Sequence, residues 1–221
     1  MDQNEVIQKR YNRVAKVYDW MDVIIRDKWR KSVYDGMKGN LLEVGVGTGK
    51  NIPFYPKDAF VTGIDFSSNM LAKAKERLEK YPANVRLLLM DAQNMEFEDN
   101  TFDGVITTCV FCSVPDPIKG LKEIRRVIKP NGIVRMLEHM RSDQPVMGKM
   151  MDVINPLVVN VVGANINRDT MHNLELAGFT LKHEHQILGS MYRLLTLDPN
   201  KKVSIFQRTF VVRSLSGLYR R

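Results

Sequence analysis

Apolar residues in this chain recur in short runs that end at glycine, proline or acidic residues, and longer stretches of helical period separate the runs. Leu41-Leu42-Glu43-Val44 leads into a glycine-rich turn at Gly45, Gly47 and Gly49. Val61-Thr62-Gly63-Ile64-Asp65, Val85 to Ala92, Phe102 to Thr108 and Gly132 to His139 read as further strands. Between them, Asn69 to Tyr81 and Ile118 to Ile128 carry apolar residues at helical spacing, and Lys129-Pro130-Asn131-Gly132 stops the second. Strands that alternate with helices predict an α/β fold, a doubly wound parallel sheet covered on both faces, with ligands at the carboxyl ends of the strands. Val6 to Tyr18 places Ile7, Tyr11, Val14, Ala15 and Tyr18 on one helical face. Near the other end, His183-Glu184-His185 reads as a solvated strand face, and Asn167 is a candidate N-cap for the helix that follows it. The sheet closes either at Met191 to Leu197 or with Ser204 to Val212 as its last strand, and the pattern leaves both open.

The turn after the first strand defines the candidate chemistry. Glycine lets a ligand approach the backbone closely, so three glycines at alternating positions suggest a small molecule on the loop. A phosphate-binding Walker loop would need Ser or Thr after the lysine, and Lys50 is followed by Asn51. The dinucleotide fingerprint would need a third glycine where Lys50 stands. Asp65 ends the second strand, sixteen residues after Gly49, where a carboxylate can accept both hydroxyls of a ribose. Asp91 ends the third and suits an adenine amino group.

Glu-x-Gly-x-Gly-x-Gly, Gly63-Ile64-Asp65, Met90-Asp91-Ala92 and the block from Asp116-Pro117 to Lys129-Pro130-Asn131-Gly132 resemble the class I S-adenosylmethionine (SAM) methyltransferases. Within them the chain resembles the ubiquinone/menaquinone C-methyltransferases, the bacterial phospholipid N-methyltransferases and the alkyl-thiol methyltransferases over about residues 8 to 198. The resemblance implies a Rossmann-like, mostly parallel seven-stranded sheet with an N-terminal helical lid. It divides the chain into a lid (1–38), a SAM-binding domain (39–200) and a basic tail or last strand (201–221). By position, Glu43, Gly45, Gly47 and Gly49 would hold the methionine part of SAM. Asp65 would hold the ribose, Phe66 would flank the adenine, and Asp91 with Ala92 would hold its edge, while Cys109 would lie near the methionine end. Tyr18-Asp19-Trp20-Met21-Asp22 and Lys28-Trp29-Arg30-Lys31 resemble the lid segment of the quinone and phospholipid enzymes. Tyr11 and Tyr18 are then candidates to contact the SAM carboxylate or line the methyl channel, or else they pack the helix on the sheet.

Composition narrows the setting. The chain has 221 residues, 44% of them hydrophobic and 26% charged, which suits one domain with a substantial core. Two cysteines offer no disulfide framework, the first residues lack a signal-peptide layout, and no apolar run is long enough to span a bilayer, so a cytoplasmic enzyme is expected. The net charge of +8 is concentrated in residues 9 to 31 and 201 to 221. The latter segment mixes Lys201, Lys202, Arg208, Arg213, Arg220 and Arg221 with apolar residues and has no acid. It fits a solvated basic surface, a peripheral contact with an anionic membrane, or nonspecific contact with RNA phosphates.

Methyl transfer asks the protein to align an acceptor and exclude water, and needs a general base only when the acceptor is protonated. Glu138-His139 after the fifth strand is the best-placed titratable pair, so His139 joins Tyr18 as a catalytic candidate, with a structural histidine as the alternative. Cys109-Val110-Phe111-Cys112 reads as a strand end with small apolar cysteines rather than a metal or redox pair, no metal is expected, and Phe111 to Pro117 is expected to shape the acceptor side of the pocket. From Met136 to Val162 a methionine- and valine-rich stretch suits a greasy acceptor or a helix packed on the domain. The expected function is SAM-dependent methylation of a small lipophilic acceptor, a phospholipid amine or quinol ring, by a monomer or small homo-oligomer. An alkyl-thiol acceptor is the closest alternative. An RNA methyltransferase and a non-catalytic SAM-binding module are the others.

Overall fold

The computed structural model describes residues 25–200. Tyr11 and Tyr18, the Val6–Tyr18 helix and the basic segment 201–221 lie outside the described residues. The first described helix is α1 (Asp27–Val33), and seven strands follow: β1 (Gly39–Val44), β2 (Ala59–Asp65), β3 (Val85–Leu89), β4 (Phe102–Thr108), β5 (Ile128–His139), β6 (Thr180–Leu188) and β7 (Tyr192–Asp198). Helices α2 (Ser68–Lys80), α3 (Pro117–Val127), α4 (Pro145–Val162) and α5 (Thr170–Ala177) connect them. The strands form one sheet in the order β3-β2-β1-β4-β5-β7-β6. Pairings from β3 through β5 are parallel, whereas β7 runs antiparallel to both β5 and β6. The described sheet therefore closes at Tyr192–Asp198.

Alternation along the central strands builds a core on each face. Leu42, Val44, Ile64, Val105, Val134 and Met136 point to one side, against Leu121, Ile124 and Val127 of α3 and Leu174 of α5. Leu41, Val61, Ile106 and Leu137 point to the other, against Val33 of α1 and Leu71 and Ala74 of α2. This two-sided burial explains why the strands read as nearly continuous apolar runs. Val33, Tyr34 and Met37, which the sequence groups with the lid, are buried in this second core.

Local caps fix the helix starts. Ser67 Oγ accepts from Met70 N at 3.2 Å, and Asp116 accepts from Lys119 N at 2.9 Å with Pro117 in the first turn. Two expectations are corrected. The cap of α5 is Asp169, which accepts from His172 N at 3.0 Å, because Asn167 instead donates to Asp152 Oδ1 at 3.1 Å. Strand β3 stops at Leu89, so Asp91 sits two residues beyond it.

The strand order reverses beside β1, whose neighbours are β2 on one side and β4 on the other. Loops leaving such a switch point diverge and open a crevice at the carboxyl ends of the strands.

Candidate functional site at the carboxyl ends of β1, β2 and β4

A cleft open to solvent occupies that crevice. Its walls include Gly45 and Gly47 after β1, Asp65 and Phe66 after β2, Asp91 and Ala92 after β3, and Cys109, Val110, Ser113 and Val114 after β4. A smaller recess adjoins it through Gly45, Gly47 and Thr108, and is lined also by Arg30, Glu43, Lys50 and Asn51. The structure thus brings together Glu43, Gly45, Gly47, Asp65, Phe66, Asp91, Ala92 and Cys109.

The three glycines have three different reasons to be glycine. A Cβ on Gly45 would stand 2.5 Å from the Val110 side chain, so this residue lets the β4 loop close over the turn. Gly49 packs against Ala74 of α2 and Ile52 rather than lining the cleft. At Gly47, with φ of +55°, a Cβ would meet nothing nearer than the Gly45 carbonyl, 4.0 Å away. Open space over a left-handed glycine is what a ligand lying on the backbone requires.

Asp65 is 6% exposed and accepts from Gly47 N at 2.8 Å and Ser67 N at 2.9 Å. These bonds lock the glycine loop to the end of β2 and aim the carboxylate at the cleft. Burial pushes its pKa up to about 6, and the backbone donors oppose that shift only in part. Asp91 accepts from Gln93 N at 2.8 Å, and Gln93 Oε1 accepts from Asp116 N at 2.9 Å, which ties the β3 exit to the start of α3.

Glu43 is 1% exposed and forms the floor of the recess. Its carboxylate accepts from Asn51 Nδ2 at 2.7 Å, from the Tyr34 hydroxyl at 2.9 Å and from the Tyr55 hydroxyl. Arg30 donates to Asn51 Oδ1 at 2.9 Å. Burial raises the Glu43 pKa despite these donors, and burial together with the Glu43 charge raises both phenols well above their ordinary value. Arg30 joins this site from α1, and Asn51 and Tyr55 from the two ends of the short turn Ile52–Phe54. In sequence, Lys28-Trp29-Arg30-Lys31 stands out only as a lid-like segment, and the signal that could have found Arg30 is a single arginine on the apolar face of α1.

The acidic partner of His139 turns inward. Glu138 is fully buried and accepts from Thr107 Oγ1 at 2.6 Å, Val110 N at 3.1 Å and Phe111 N at 3.3 Å. Burial lifts its pKa to about 7. Those bonds hold the turn where Cys109 adopts φ of +53°, a conformation L residues rarely take. His139 packs its ring edge-on against Tyr192, with centroids 4.8 Å apart, and burial lowers its pKa. The described residues that line the cleft do not include His139. Burial raises the Cys112 thiol to about 11, consistent with apolar filling behind the wall.

The cleft presents the Asp65 and Asp91 carboxylates together with the apolar side chains of Phe66, Met70 and Met90. The recess offers a carboxylate beside two cations, the complement of an amino acid's charged groups.

Comparison with known proteins agrees with this chemistry. The methyltransferase-domain family matches residues 42–136. A phosphatidylethanolamine N-methyltransferase from Cereibacter sphaeroides is 34% identical over 145 residues, covering 63% of this chain and 71% of that protein. A demethylmenaquinone methyltransferase from Staphylococcus aureus is 36% identical over 171 residues, covering 72% and 70%. Among solved structures, a Thermotoga maritima SAM-dependent methyltransferase, described as a possible histamine N-methyltransferase, superposes with a TM-score of 0.65. It shares 20% identity and covers 86% of this chain and 99% of its own, a likeness of fold. The chain belongs to the SAM-dependent methyltransferases and is an enzyme whose cofactor is S-adenosylmethionine.

Proposed function

We propose that this enzyme transfers the methyl group of SAM to a small lipophilic acceptor, a phospholipid amine of the phosphatidylethanolamine type or the ring of a quinol. The observation that carries the reading is the wall of the cleft beyond the nucleoside site. Val110, Val114 and Pro115 face it, with Ser113 among few polar groups there, so the acceptor meets an apolar surface. Two relatives act, by name, on a phospholipid amine and on a demethylated menaquinone, which supports acceptors of this kind.

Within the site, Asp65 is assigned to the ribose hydroxyls, and Phe66, Asp91 and Ala92 to the adenine. Gly45, Gly47 and the Glu43–Arg30–Asn51 group are assigned to the methionine end. Bound SAM supplies an electrophilic methyl group, and the protein's contribution is to orient it, seat the acceptor in line and keep water out. Tyr18 remains the residue assigned to the methyl channel, whereas His139, packed against Tyr192 and absent from the cleft lining, is assigned no role in the transfer.

The test is transfer of labelled methyl from SAM with three acceptors offered together: vesicles containing phosphatidylethanolamine, a demethylated quinol and a small alkyl thiol. Label in the lipid or the quinol is the expected result. Label confined to the thiol, or to RNA offered in a parallel reaction, overturns the reading.

A further inference from the structure

The apolar wall of the cleft is carried by a turn between β4 and α3, so its backbone groups need partners from other elements. From β5, Glu138 accepts from the Val110 and Phe111 amides. From the β3 exit, Gln93 Oε1 accepts from Asp116 N at 2.9 Å. The carbonyls of the turn are held from a third direction, by residues 163–169, which join α4 to α5. Cys112 O accepts from Asn165 N at 2.8 Å and from Asn165 Nδ2 at 3.3 Å. Val114 O accepts from Arg168 Nη2 at 2.7 Å.

Arg168 holds its carbonyl with a charge that no described carboxylate neutralises. It is half-buried and forms no ion pair among the described residues, whereas Arg141 pairs with Asp152 and Arg193 with both Asp143 and Glu184. Its Nε is buried without a hydrogen-bond partner among those residues. Burial lowers its pKa from the usual arginine value, with Cys112 and Asp116 opposing the shift. Desolvating a cation in this way costs stability rather than adding to it, so what Arg168 contributes is position. Helix α4 buttresses the loop that carries it. Asn155 Oδ1 accepts from Ile166 N at 2.8 Å, and Asn155 Nδ2 donates to Asn165 Oδ1 at 3.2 Å. Arg141 N donates to Arg168 O at 2.9 Å, while the Arg141 side chain clamps the first half of the helix through a 2.9 Å ion pair with Asp152.

We infer that Arg168 is a positioning residue for the acceptor: through the Val114 carbonyl, with Asn165 on Cys112, it sets the place of the wall against which the acceptor packs. Arg168 lines neither the cleft nor the recess, so it acts through Val114 and not by touching a ligand. The groups assigned to SAM are held by other contacts, Asp65 by the Gly47 amide and Glu43 by Asn51. The acceptor wall and the cofactor end are therefore set by separate parts of the chain. The inference rests on the reading of Val110, Val114 and Pro115 as the acceptor side, and it makes the α4–α5 loop the part of the fold that shapes acceptor choice.

The test compares the full chain with its Arg168→Met variant, which keeps an unbranched stem and removes every donor. Steady-state kinetics are run on whichever acceptor the wild-type enzyme labels, so the lipophilic-acceptor reading stands or falls separately, by the identity of that acceptor. The acceptor KM should rise about tenfold with kcat near wild type, the loss of a charge-assisted hydrogen bond expressed as weaker acceptor binding. SAM affinity by calorimetry should be unchanged. Amide exchange over residues 110–116, read by mass spectrometry without any acceptor, should be about tenfold faster in the variant. Asn165→Ala keeps the backbone bond to Cys112 and loses only the side-chain donor, so it should shift the acceptor KM in the same direction by less. An acceptor KM unchanged in both variants overturns the inference. Amide exchange identical to wild type in Arg168→Met also overturns it, because the wall is then held without Arg168. So does a markedly lower melting temperature with SAM and acceptor affinity lost together, which makes Arg168 a support of the whole fold.

Discussion

The ends of β2 and β5 each carry a buried carboxylate that accepts backbone N–H groups, and burial raises the pKa of both. Asp65 nevertheless lines the cleft, while Glu138 points away from it and holds the Cys109–Phe111 turn in place. The difference teaches that a perturbed carboxylate at a strand end marks either the surface that reads a ligand or the strut behind it. Only the direction of the side chain tells which. Substitutions at the two positions set these roles against each other.

Removing the strut should have the largest effect on the fold. Glu138→Ala leaves the Thr107 hydroxyl and the Val110 and Phe111 amides without their acceptor, at about 3 kcal/mol of stability in urea unfolding. Glu138 also gives the unfolding free energy a pH dependence. Its folded pKa of about 7 lies above the unfolded value, so its contribution is complete below that unfolded value and is lost as pH rises towards 7. The loss across that window is about 3 kcal/mol, and Glu138→Gln should flatten the slope by a like amount. A slope identical in the two proteins would remove Glu138 from the account.

Asp65→Ala should act on the ligand instead. SAM affinity by calorimetry should fall by about 1.5–3 kcal/mol, the scale of a hydrogen bond to a charged group. Unchanged affinity would mean that the ribose lies elsewhere. The smallest effect is expected at Ser67, between the two roles, since it caps α2 and donates its amide to Asp65. Ser67→Ala should cost about 1 kcal/mol in thermal unfolding.

The strands, the glycine turn and the position of Asp65 and Asp91 on the cleft were legible because each is local, an apolar run closed within a few residues by glycine or an acid. Other features depend on distance along the chain. Arg30 reaches Asn51 and the Glu43 floor across 21 residues, and no periodicity announces that meeting. Gly49 looks like its two neighbours in sequence, and only the approach of Ala74 shows that it serves packing. Asn167 and Asp169 are both good caps in principle, and the choice is made by Asp152 on α4, which engages Asn167. Helical spacing groups Val146, Val153 and Leu157 on one face, but an apolar face is ordinarily read as inward. In this fold the buttress from Asn155 and Arg141 turns it outward.

The central claim, that the Asp65 carboxylate reads the bound ligand, is tested most directly by titrating SAM into the wild-type enzyme from pH 8 to pH 5. The carboxylate must be ionised to accept the ribose hydroxyls, and its pKa in the free protein is about 6. Affinity should therefore be nearly constant above pH 7 and about tenfold weaker at pH 5, with proton release on binding near pH 6. Affinity independent of pH over that range, without proton release, would contradict the assignment.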